Sequence, residues 1–102
     1  MIKKVWIGLV NLVPNKGNGD LKGAKGAYVN ILAFAKNVEN YKSLINLAAY
    51  EHDYSVRKIK DAEPFDDRIK NYKIDNDLLK LSRKVKKTGK THFGEFFVYM
   101  NK

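Results

Sequence analysis

Four of the eleven carboxylates of this chain cluster in one short segment, Asp61-Ala62-Glu63-Pro64-Phe65-Asp66-Asp67, inside a strongly basic sequence. Grouped carboxylates hold a hard cation, cap turns, or imitate phosphates in front of a cationic partner. The spacing fits no calcium loop, and turn capping by Asp66 and Asp67 is the plainest role for those two. The functional alternative is a protein-binding turn. In it Asp61, Glu63, Asp66 and Asp67 face the partner and an exposed Phe65 fills a pocket on it.

A second constellation is cationic. Lys80, Arg83, Lys84, Lys86, Lys87 and Lys90 follow one another with no acid between Asp77 and Glu95. At 3.6 residues per turn, Lys80, Lys84 and Lys87 fall opposite the apolar positions of a helix, and with Arg83 they form a stripe able to track phosphates. The competing explanation is ordinary: cations near a helix C-terminus gain about 0.3–1 kcal/mol from the dipole, and outward faces are usually charged.

Other chemistry finds little support. Gly17, Gly19, Gly23 and Gly26 give the segment 14–26 the composition of an exposed, mobile loop, but Gly26 opens a strand, whereas a phosphate-binding loop opens a helix. The two histidines, His52 and His92, have no serine or carboxylate in triad or dyad spacing. No enzyme activity, cofactor or metal is expected. Six tyrosines are enough for base stacking, yet none forms the paired aromatic signature of an RNA-recognition strand.

These residues need a scaffold. Residues 3–13 hold Val5, Trp6, Ile7, Leu9, Val10, Leu12 and Val13, a strand pattern that Asn11 and Pro14 keep from reading as a leader peptide. Residues 27–36 place Tyr28, Leu32 and Phe34 on one side and Val29 and Ile31 on the other, as in a central strand. Asn37, or alternatively Asn40, caps a helix over 38–52. Tyr54, Val56 and Ile59 predict a strand at 54–62 with a bulge between the last two.

Pro64 and Asp66-Asp67-Arg68 break the pattern, and 69–74 fits a loop, one helical turn or an edge strand. Asp75 caps a helix over 76–88 with Leu78, Leu81, Ser82 and Val85 inward and Gly89 as its stop; 92–100 closes as an aromatic-rich strand. The order is ββαβαβ. The expected fold is a two-layer α/β sandwich of the ferredoxin-like class, a mainly antiparallel four-stranded sheet carrying two helices.

Composition sets the outer bounds. The chain has 102 residues, the size of a single domain, and its 44% hydrophobic and 12% aromatic content suffices for a core. It has no cysteine, so disulfides and thiolate zinc sites are excluded; a cytoplasmic location is the default, and no run is long enough to span a bilayer. The formal charge of +9 favours nucleic acid, anionic membrane or an acidic protein without choosing among them.

Three phrases together, Gly23-Ala24-Lys25-Gly26-Ala27-Tyr28-Val29-Asn30, Asp61-Ala62-Glu63-Pro64-Phe65 and Phe93-Gly94-Glu95-Phe96, resemble a group of small bacterial proteins. The chain also looks like the single-domain immunity proteins that neutralise polymorphic or contact-dependent toxins. That resemblance implies a short, non-catalytic, cytoplasmic protein; combined with the acidic 61–67 turn it leads to the expectation that this turn occludes a toxin's active site. Its basic charge departs from the acidic character common in nuclease inhibitors. The alternative function is a nucleic-acid-binding module contacting phosphates through Lys80, Arg83, Lys84 and Lys87.

Overall fold

The computed structural model describes residues 2–100. The elements are strands β1 (Lys4–Pro14) and β2 (Gly26–Ala35), helix α1 (Val38–Glu51), strand β3 (Tyr54–Pro64), helices α2 (Phe65–Asn71) and α3 (Asn76–Thr88), and strand β4 (His92–Tyr99). One antiparallel sheet runs in the order β3-β1-β2-β4. The class is therefore α+β with a four-stranded antiparallel sheet, as the apolar patterning predicts, but with three helices in the order ββαβααβ.

β1 and β2 form the centre, paired without interruption from Lys4 opposite Ala35 to Leu12 opposite Ala27. β3 joins the outer side of β1 and β4 that of β2. The three-residue spacing of Val56 and Ile59 does produce the predicted irregularity: Asn11 faces Lys58 while Leu12 faces Val56, leaving Arg57 extra. A second shift occurs where Ile7 faces Glu63 and Leu9 faces Lys60, and there Asp61 takes a positive φ of 55°.

Two apolar faces on β2 demand two covers. Ile31 and Val29 pack with Val10, Leu12, Tyr41, Ile45 and Ala49, which places α1 on that face. Ile7 and Leu32, on the opposite face, pack with Phe65 and Val85, with Leu78, Leu79 and Leu81 around them. The expected two-layer arrangement is thus corrected: α1 covers one face of the sheet, and α2 with α3 covers part of the other. A ferredoxin-like stack has both helices on one side.

Phe65 is the second correction. It is 3% exposed and buried with Ile7, Leu32 and Val85, so it is not the exposed anchor the sequence suggested. Full burial of such a side chain contributes about 1.5–3 kcal/mol, more than an exposed position would. Pro64 does not merely break structure; it ends β3 and caps α2, whose first turn carries Asp66 and Asp67 and whose last carries Arg68 and Lys70, all favourable to the helix dipole.

The other helix ends follow their predicted signals. Asn37 is the N-cap of α1: its Oδ1 accepts from the Asn40 amide at 2.8 Å, whereas Asn40, the alternative, lies inside the first turn and its Oδ1 accepts from the Lys36 amide, ahead of the helix, at 2.9 Å. Asp75 Oδ1 accepts from the Leu78 amide at 2.9 Å, and Gly89 closes α3 at φ 73°.

The start of the glycine-rich connection is tied to the turn between α1 and β3. Asn18 Nδ2 donates to the Asp53 carbonyl at 2.8 Å, Asn15 Nδ2 to Asp53 Oδ1 at 3.1 Å, and Ser55 Oγ to Asn15 Oδ1 at 2.6 Å. No described helix is long and apolar enough to cross a membrane.

Candidate nucleic-acid interface

α2 and α3 cover only one end of their face of the sheet. They lie over Val5, Ile7, Leu32 and Phe34, and the first turn of α3 extends as far as Gly94, where a side chain would come within 3.7 Å of Leu78. Beyond that point the same face carries Tyr28, Asn30, Phe97 and Tyr99, and these join neither core cluster. Phe97 is 53% exposed.

Register assembles the exposed end. Lys58 of β3 faces Asn11 of β1, Asn11 faces Tyr28 of β2, and Tyr28 faces Phe97 of β4, so these four side chains form one row across the sheet. The next row contains Lys60, Leu9 and Asn30. The row beyond Tyr28 contains Tyr99, opposite Gly26. At ~4.8 Å between strands, the four-residue row spans about 14 Å.

Tyr99 is held flat by two features. A Cβ at Gly26 would stand 2.5 Å from Tyr99 Oη and 2.8 Å from its Cζ, so only glycine lets the ring lie across β2. The hydroxyl then donates to Asn11 Oδ1 at 2.8 Å, which partners an amide that is 7% exposed. The Tyr28 ring lies 5.6 Å away, tilted by 43°. Together with Phe97 these rings make an aromatic platform, bordered on β3 by the exposed Lys58 and Lys60 and near β2 by the exposed Lys25. Glu95, in the bulge of β4, is the carboxylate on its other border.

Such an arrangement stacks flat, weakly hydrated rings and places cations beside them. Bases of a single strand meet both requirements: they stack on aromatic side chains while lysines meet the backbone phosphates.

The residues proposed from sequence lie elsewhere. Lys80, Arg83, Lys84 and Lys87 are all exposed on α3, over the covered end of the sheet. Asp61, Asp66 and Asp67 are exposed, but Glu63 is half-buried and ion-paired with Arg68, whose Nη2 donates to the Asp61 carbonyl at 2.7 Å. Asp61, Glu63, Arg68, Tyr72, Lys73 and Ile74 line an open hollow of about 490 Å³.

His52 caps the C-terminus of α1, against Phe93, whereas His92 pairs with Leu32 on the opposite face, so the two do not converge. Among the described residues no three His, Asp or Glu side chains group as metal ligands. Sequence reading missed the platform because its rings come from segments some seventy residues apart; the local hint was Gly26 beside Tyr28, a strand glycine that invites a ring to lie over it. No protein-family model, curated protein or solved structure matches the chain.

Proposed function

We propose that this chain is a non-catalytic domain that binds single-stranded nucleic acid on the uncovered end of its sheet. The observation that carries the reading is the row Lys58, Asn11, Tyr28, Phe97, flanked by the flat Tyr99 ring. Two or three bases stack on Tyr28, Phe97 and Tyr99, Asn30 offers its amide to base edges, and Lys58 and Lys60 neutralise phosphates, while the buried Asn11 holds the Tyr99 ring in place. The net charge of +9 supplies long-range attraction.

Anisotropy of a labelled single-stranded 12-mer, with the matching duplex as control, tests this directly. Phe97→Ala and Tyr28→Ala should each weaken binding by about 1–3 kcal/mol. Lys58→Ala should reduce the salt slope by about 0.7. Lys84→Ala with Lys87→Ala separates this surface from the α3 stripe, which the platform reading leaves secondary. Absence of binding at 50 mM salt, or aromatic variants that bind like the parent, overturns it.

A second reading, a protein-binding domain of immunity type, is favoured by the hollow beside Pro64. With Phe65 buried, its contacts become Asp61, Asp66, Asp67 and the 63% exposed Tyr72, an aromatic of the kind that anchors interfaces. Capture of a protein by the parent chain, lost with Tyr72→Ala and retained with Phe97→Ala, would select this reading over the first.

A further inference from the structure

The opposite face of β4 carries a second aromatic site, separate from the platform. Asp20, His52, Tyr54, Phe93 and Phe96 line a half-open hollow of about 250 Å³. Phe93 and Phe96 lie parallel within 5°, with centroids 6.1 Å apart. The Tyr54 ring is 5.9 Å from Phe96 at 47°, and the His52 ring meets Phe93 edge-on at 5.2 Å and 67°. Rings therefore wall the hollow on several sides. Its volume is below the ~300–1,000 Å³ of drug-sized pockets and suits a compact group.

The local charge runs against that of the whole molecule. Asp20 stands at the rim, with its Oδ2 3.4 Å from the Tyr54 hydroxyl. Burial, reinforced by the charge of Asp20, raises the Tyr54 phenol above its ordinary pKa of 10.0, so it remains the donor of that contact. Asp20 is fixed in place: its amide donates to Asn18 Oδ1 at 2.9 Å, and Asn18 is itself tied to the Asp53 carbonyl. Glu51 and Asp53 flank His52. The C-terminus of α1 also ends here, with no basic residue in its last turn to balance the negative end of the helix dipole.

Aromatic faces, a positioned carboxylate and an unbalanced helix C-terminus all favour a cation that is weakly hydrated. We infer that this hollow is an aromatic cage for a methylated ammonium group, with Phe93, Phe96 and Tyr54 as walls and Asp20 as the counter-charge. Quaternary ammonium is the cation that best uses such walls, since its methyl groups pack on the rings while its charge meets their negative faces. A lysine ammonium without methyl groups is held more strongly by water. The inference does not depend on nucleic-acid binding, because the platform rings point to the other side of the sheet.

The full-length chain is titrated with choline, with free trimethyl-lysine, with lysine, and with 3,3-dimethyl-1-butanol, the uncharged counterpart of choline. Ring-proton NMR shifts of Phe93, Phe96 and Tyr54 are followed. Choline or trimethyl-lysine should move these resonances in a saturable way, and the neutral alcohol and lysine should bind at least about tenfold more weakly.

Asp20→Asn, at an exposed loop position, should weaken the cation several-fold while leaving the neutral alcohol unchanged. Phe96→Leu, which keeps apolar packing, should do the same. Tighter binding of trimethyl-lysine than of phosphocholine vesicles identifies a modified side chain as the source, and the reverse identifies a lipid headgroup. Equal affinity for choline and its neutral counterpart, or no shift with any methylated ammonium, overturns the cage; neither result bears on oligonucleotide affinity.

Discussion

Gly8 and Tyr41 are expected to behave as one unit when either is changed. The Tyr41 hydroxyl donates to the Ile31 carbonyl at 2.7 Å, tying α1 to β2, and the ring passes directly over Gly8 of β1. A Cβ at Gly8 would meet Tyr41 Oη at 2.7 Å, Cε2 at 3.1 Å and Cζ at 3.2 Å, so all three of its nearest obstacles belong to one side chain. Tyr41 is fully buried and cannot swing away into solvent. Gly8→Ala should therefore cost about 1–3 kcal/mol as overpacking. Tyr41→Phe should cost about 1–2 kcal/mol, from a lost buried hydrogen bond and a carbonyl left with one partner fewer.

In the double variant the shortest clash has gone, and the two ring carbons, at 3.1 and 3.2 Å, need give by only a few tenths of an ångström. Its loss should fall short of the sum of the single losses by about 0.5–1.5 kcal/mol. Urea unfolding monitored by the fluorescence of Trp6, whose ring stacks on Tyr41 at 6.3 Å, measures all four chains. Strict additivity, or a Gly8→Ala chain as stable as the parent, would refute the claim that the ring of Tyr41 excludes a side chain at position 8.

Three further outcomes are expected. Burial holds the Tyr41 phenol above its ordinary pKa of 10.0, so below pH 10 its contribution is complete; above it the unfolded chain ionises first, and stability falls as pH rises. Unfolding of Tyr41→Phe should show a shallower decline between pH 10 and about 12 than the parent. Gly89→Ala should cost about 1 kcal/mol in thermal melts because φ is 73° with nothing within 4 Å, whereas Gly19→Ala, with equal space and no positive φ, should be near neutral. Asp75→Ala should cost about 1 kcal/mol through the lost cap to Leu78, and Asp75→Asn much less.

Local signals carried most of the elements. Asp75, the Leu78, Leu81 and Val85 spacing and Gly89 define α3 in sequence and in space, since a cap, a stripe and a stop all lie within fifteen residues. The Val56 to Ile59 interval likewise encodes a bulge, because an extra residue is the simplest way to keep both side chains on one face. α2 escaped notice because Pro64 reads as a breaker, although a proline just before a helix costs no hydrogen bond.

The layer count was misjudged at β2. Its two apolar sides are legible, but only contact shows that Phe65 and Val85 cover the side away from α1. The aromatic platform depends on Lys58, Asn11, Tyr28, Phe97 and Tyr99 meeting through register, and no short-range pattern reports register between strands so distant in sequence.

The uneven cover of the sheet has a dynamic corollary. β1 and β2 are pressed between helices at Ile7 and Leu32 but backed on one side only at Asn11 and Tyr28. Amide protection along the same two strands should therefore grade from near-global at one end to shallow, sub-global opening at the other. The hairpin is anchored like a hinge leaf, and the end that breathes is the end that carries the rings.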